Sequence, residues 1–141
     1  MEITLIETVA CNKALEVLSK KHYKNFAVAL KVARLKKFFA EQSDFYMQQE
    51  RDIIDHYAER SEDGNLKLSN GNVTFATMDN AKNFSTDLTK LKTTKVDIGD
   101  PFKLVVDEDL AGNQESLTPD EILSLCKIID FELKGDTYEK D

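Results

Sequence analysis

The side chains able to do chemistry in this sequence are few and scattered. Its two histidines, His22 and His56, stand in no spacing that favours metal chelation or proton transfer. His56 lies one helical turn from Asp52, which suits a surface pair. Asp44, Glu50, Asp52, Asp55 and Glu59 offer carboxylates, but acid–base work on a glycoside needs two acids facing each other across a cleft. On one helix these five spread round the polar faces, where solvation accounts for them. The run Asp107-Glu108-Asp109-Leu110-Ala111-Gly112-Asn113-Gln114-Glu115 matches a calcium loop at positions one, three, six and seven. The match fails at position five, Ala111, and at position twelve, Thr118, where an oxygen ligand and a bidentate glutamate belong. An acidic surface loop is the expectation for 107–116, with weak cation binding as the alternative. No G-x-S-x-G, H-E-x-x-H, C-x-x-C or phosphate-loop motif occurs. The expectation is a protein without catalytic residues, cofactor or metal.

Composition narrows the class further. At 141 residues the chain is the size of one domain and can bury a core without metals or disulfides. Its 32% charged and 41% hydrophobic residues are those of a folding globular chain, not a disordered one. A net charge of -7 argues against direct nucleic-acid binding, which needs a basic face to displace counterions from phosphates. The charge is uneven: Lys13, Lys20, Lys21, Lys24, Lys31, Arg34, Lys36 and Lys37 crowd one stretch, and acids concentrate from Glu41 onward. Cys11 and Cys126 lie far apart in no ligand spacing, so two free thiols in a reducing compartment are the simplest reading, with a disulfide between them left open. No basic and apolar leader and no apolar run of membrane-spanning length is present, so neither signal peptide nor membrane segment is expected.

The elements that would position these residues begin with an alternating Ile3–Ile6, read as a short edge strand. Asn12 is then the expected N-cap of a first helix carrying Ala14, Leu15 and Leu18. From Asn25 the pattern is a heptad seam: Val28, Val32, Leu35, Phe39, Gln42, Tyr46, Gln49 and Ile53 follow at steps of four and three. Without glycine or proline before Gly64, this predicts a single helix of roughly 35 residues, about 50 Å long. Such a rod outruns a small core. It must pack on the first helix, on the C-terminal half or on another chain, either as a core helix or as one that mediates oligomerisation. A second stripe of Phe26, Leu30, Ala33 and Phe45 is expected to widen the apolar face toward the core. Phe38 and Phe39 point in different directions, so one of them is available to a partner. The candidate contact residues are Val28, Val32, Leu35, Phe38, Phe39, Tyr46 and Ile53.

Gly64, in Ser61-Glu62-Asp63-Gly64-Asn65, is the expected helix stop. A hairpin follows, with Leu66 and Leu68 on one strand, Asn70-Gly71 as a type I′ turn, and Val73 and Phe75 returning. A third helix starts near Thr77 or Asp79 and carries Ala81, Phe84, Leu88 and Leu91, closing at Thr89, Thr93 and Thr94. Val96 and Ile98, then Phe102, Leu104 and Val106 across Gly99-Asp100-Pro101, predict a second strand pair. Leu117-Thr118-Pro119-Asp120-Glu121-Ile122 is the strongest local signal: Thr118 as N-cap, Pro119 at the first helical position, Glu121 completing a capping box, and Leu117 stapling onto Ile122. The short helix is expected to bury Ile122, Leu125 and Ile129, with a last strand through Phe131 and Leu133. The fold expected is α+β, mainly α: one domain over 1–141, with a long helical hairpin at 1–60, a small α+β part at 61–133 holding an antiparallel sheet and two shorter helices, and a polar tail at 134–141.

The order of the long helix ending at Ser61-Glu62-Asp63-Gly64-Asn65, the hairpin, Phe84-Ser85-Thr86-Asp87-Leu88-Thr89-Lys90-Leu91, Val96-Asp97-Ile98 and the Leu117-Thr118-Pro119 helix resembles a family. It is similar to small proteins of unknown function encoded beside virion genes in tailed bacteriophages, over residues 25 to 133. The resemblance implies a non-enzymatic minor structural or assembly protein of head, connector or tail, located in the virion or the host cytoplasm. Its implied partners are other phage structural proteins and copies of itself, as a homo-oligomer or ring, with no membrane and no direct nucleic acid. Residues 1–24 extend beyond the family's pattern. The alternative is a phage-encoded inhibitor of a host factor, acting as an acidic mimic of nucleic acid.

Overall fold

A capping box, Thr4-Leu5-Ile6-Glu7, decides how the chain starts. The Thr4 hydroxyl accepts from the Glu7 amide at 3.3 Å, and the Glu7 carboxylate accepts from the Thr4 amide at 2.9 Å. Strand β1 is therefore confined to Glu2–Thr4, and helix α1 runs Leu5–Ser19. The computed structural model describes residues 1–106 and 117–133. The expected 107–116 loop and the 134–141 tail lie outside them. Asn12 is not the N-cap: it sits inside α1, and its Oδ1 accepts from Lys36 Nζ at 2.6 Å, tying α1 to the next helix.

Helix α2 spans Phe26–Tyr57, 32 residues and about 48 Å. It opens on Asn25, whose side chain accepts from the Ala27 and Val28 amides. It stops at Tyr57, short of the expected glycine, because Ala58 turns extended to pair with Phe75, and Arg60 pairs with Leu66. Gly64 instead makes the tight turn inside that pairing, at φ +86°.

Strands β2 (Leu68–Ser69) and β3 (Asn72–Val73) form the predicted hairpin, antiparallel, with Asn70 and Gly71 both at positive φ as a type I′ turn requires. Helix α3 is Met78–Lys92, capped by Thr77. It is thinly covered: none of its residues is fully buried, and Phe84 stacks on Phe75 at 5.0 Å.

The strand partners differ from expectation. Strand β4 (Lys95–Asp97) does not pair with β5 (Phe102–Val106) but with β1, antiparallel, Ile3 opposite Val96. Strand β5 pairs with β6 (Ile129–Leu133) in parallel, Phe102 opposite Ile129, so one of the small sheets is not antiparallel. Parallel neighbours need a long crossover, and helix α4 (Pro119–Leu125) lies within this one. The Thr118 box and Pro119 stand where predicted. Leu125 is fully buried, whereas Ile122 is 40% exposed and, against expectation, not part of the core.

The described residues are thus mainly α with small two-stranded sheets, with four helices among them. A single core joins both halves: Ile3, Leu15 and Leu18 of the N-terminal elements, Val32 and Phe39 of α2, and Leu104, Leu125, Ile128 and Ile129 from the C-terminal part. No described helix is long and apolar enough to cross a membrane.

Candidate interaction surface on the long helix

The seam divides sharply when its residues are placed. Val32, Phe39 and Tyr46 are buried within this chain, and Val28, Leu35 and Phe38 pack against the core half-covered. Ile53 is half-buried. α1 and α3 lie along this side, so the candidate contact residues are mostly core, and a second protein cannot reach Val32, Phe39 or Tyr46 without opening the fold. Burial pushes the Tyr46 hydroxyl up to about 12, with help from the Glu50 carboxylate that accepts its hydrogen bond at 2.9 Å.

The second stripe behaves oppositely. Phe26 is 78% exposed and Phe45 52%, and Leu30 and Ala33 also face outward. The expectation that this stripe joins the core is wrong for a geometrical reason: α1 has 15 residues against the 32 of α2 and covers one side only. Large apolar side chains therefore remain exposed on α2; Met47, on the flank opposite Phe45, is exposed as well, and Met78 of α3 is more exposed still.

Beside this outer face lies an open cleft of about 350 Å³, lined by Leu35, Phe38, Phe39, Ile98 and Phe102 with Lys31, Arg34 and Asp97. Phe38 and Phe39 meet edge to face at 5.1 Å, and Lys31 Nζ stands 5.1 Å from the Phe102 ring centroid, a cation–π distance. Phe38 is the aromatic of that pair left partly open. A second cleft, about 380 Å³, borders Val32, Ala33, Tyr23 and Lys36 on the other side. Its Lys36 is already engaged by Glu16 at 2.6 Å and by Asn12.

Charge along α2 is ordered. From Phe26 to Ala40 it carries Lys31, Arg34, Lys36 and Lys37 and no acid; from Glu41 to Tyr57 it carries Glu41, Asp44, Glu50, Asp52 and Asp55 against Arg51. The helix macrodipole favours the reverse, acids at the start and bases at the end. Helix stability does not explain this order.

The residues considered for chemistry stay separate. Glu50 accepts from Tyr46, Asp52 from Gln48 and Asp55 from Arg60, and Glu59 forms an ion pair with Lys67, each a local pair on its own stretch of surface. His56 packs its ring against Tyr57, whose hydroxyl donates to Asp87 at 2.7 Å, and His22 is exposed. Cys11 is buried and donates to the Ser124 carbonyl, with burial pushing its thiol up to about 11; Cys126 is exposed, and both are free. Among the described residues no three ligating side chains converge on a metal position. Sequence reasoning placed Phe45 in the core-facing stripe and, although it found the reversal of charge along the helix, gave Lys31 and Arg34 no part in a contact surface. The chain matches no family model, no curated protein and no solved structure.

Proposed function

We propose that this protein works by packing against other proteins, as a non-catalytic minor structural or assembly component of a bacteriophage particle, in head, connector or tail. The observation that carries the packing role is the set of exposed apolar side chains on α2, where Phe26, Phe45 and Met47 stand in solvent although Val32, Phe39 and Tyr46 of the same helix are buried. Apolar side chains concentrated on one rigid rod gain most when another protein removes them from water. The phage setting is what the family resemblance implies. Mass spectrometry of purified particles tests it: the chain is recovered in stoichiometric amounts, and its absence from both particles and assembly intermediates would overturn the setting.

A second reading, inhibition of a host factor by acidic mimicry, is favoured by one feature. Glu41, Asp44, Asp52 and Asp55 are all exposed and fall on one side of α2 at helical spacing. A host pull-down without virion proteins separates the two, since mimicry requires a single stoichiometric host partner that nucleic acid displaces.

A further inference from the structure

The outer side of α2 carries a stripe whose spacing reads the same in both directions. Outward from Phe38 toward the N-terminus it steps four, three and four residues, to Arg34, Lys31 and Ala27. Outward from Phe45 toward the C-terminus it steps four, three and four, to Gln49, Asp52 and His56. These positions share one helical face, and none is buried. The midpoint falls between Glu41 and Gln42.

An isologous contact needs a surface complementary to itself, residue i meeting j and j meeting i across a two-fold axis, and this stripe has Lys31 and Arg34 on one side of its midpoint, Asp52 on the other and an aromatic next to it on each. We infer that α2 pairs antiparallel with α2 of a second copy of this chain, the axis passing at Glu41 and Gln42, with Phe45 of each copy seated at the cleft beside Phe38 of the other. This rests on the packing role proposed above and names its partner.

Three features select this occupant. Antiparallel pairing places Lys31 opposite Asp52, so the basic half of each helix meets the acidic half of the other, whereas parallel pairing sets like charges together. It also places Phe38 opposite Phe45, an aromatic pair next to the axis. The cleft at Leu35, Phe38, Ile98 and Phe102 lies beside that contact, its charged lining being Lys31 and Arg34 against Asp97.

The test uses the full chain. Light scattering gives a dimer for the wild type and a monomer for Phe45→Glu, with the helical circular dichroism of the two unchanged. Lys31→Glu raises the dimer Kd about tenfold and Lys31→Glu with Asp52→Lys restores it, as charge complementarity requires. In a Cys126→Ser background, Glu41→Cys next to the axis is joined to its copy by a short bis-maleimide. Lys31→Cys is not, since two such sites lie about 30 Å apart along an antiparallel pair at 1.5 Å per residue. Buried Cys11 does not compete for the reagent. A wild-type monomer at every concentration overturns the pairing while leaving the packing role intact, because a monomer can still be recovered in particles. A dimer that survives Phe45→Glu, or one in which Lys31→Cys links as readily as Glu41→Cys, overturns it as well.

Discussion

Phe39 and Phe45 sit six residues apart on one helix and should respond to truncation in opposite ways. Phe39 is 1% exposed, against Val32 and the residues of α1 and the C-terminal core. Replacing it with alanine removes a buried ring and leaves a cavity, which costs about 3–5 kcal/mol. For a domain whose whole stability is of order 10 kcal/mol, that is about a third to a half of the total. It corresponds to a fall in Tm of roughly 10–20 °C and a shift of the urea midpoint of about 1–3 M. Phe45, with half its surface already in water, should cost under about 1 kcal/mol as Phe45→Ala in the monomer. Urea titration followed by circular dichroism, at a protein concentration low enough to keep the chain monomeric, measures both. Equal losses for the two substitutions, or a Phe39→Ala cost below about 1 kcal/mol, would refute the division of α2 into a covered seam and a free outer face.

Other perturbations probe the frame that holds α2. Thr4→Ala removes the acceptor for the Glu7 amide and should cost about 1 kcal/mol, read as a lower Tm; a neutral result would place the start of α1 elsewhere. Glu7 is held down to about 2 from an ordinary 4.5, chiefly by Lys127 at 2.6 Å and then by the Thr4 amide. Its folded value lies below its unfolded one, so the stabilisation is complete above about pH 4.5 and is lost as pH falls toward 2. The full shift is worth about 3 kcal/mol, which solvent screening at these half-exposed groups reduces to about 1–2. Glu7→Gln should flatten the pH dependence of stability across that window, and an unchanged slope would assign it to other carboxylates. Gly71 stands at φ +81° in the hairpin turn, so Gly71→Val should cost about 1–2 kcal/mol through backbone strain alone, there being open space where a Cβ would go.

Local chemistry was legible in the sequence wherever a few adjacent residues settle the outcome. The unbroken three-four spacing from Val28 to Ile53 gave α2, Asn70-Gly71 gave the hairpin turn, and Leu117-Thr118-Pro119 gave the last helix, because each depends on neighbours a few positions away. Thr4-Leu5-Ile6-Glu7 carries an equally local signal, but the alternation of Ile3 to Ile6 competes with it and suggests a strand. Strand partners were not legible: Val96 meets Ile3 and Phe102 meets Ile129 across long stretches of chain, and no short pattern encodes which edge a strand will find. The candidate contact surface was half legible. Periodicity shows that a helix has an apolar side, but which part of it is covered depends on where α1 and the C-terminal elements pack. Val32, Phe39 and Tyr46 went to the core, while Phe26, Leu30 and Phe45 stayed outside.

Hydroxyl-radical footprinting of Phe45 against concentration tests most directly whether the outer face of α2 is a protein-binding surface. Met78 on α3, 87% exposed and not a residue of the stripe, serves as the internal reference. The expected result is that labelling of Phe45 falls several-fold as the chain self-associates while Met78 stays fully reactive. Labelling of Phe45 that stays constant relative to Met78, in the concentrated chain and in assembled particles alike, would contradict the account.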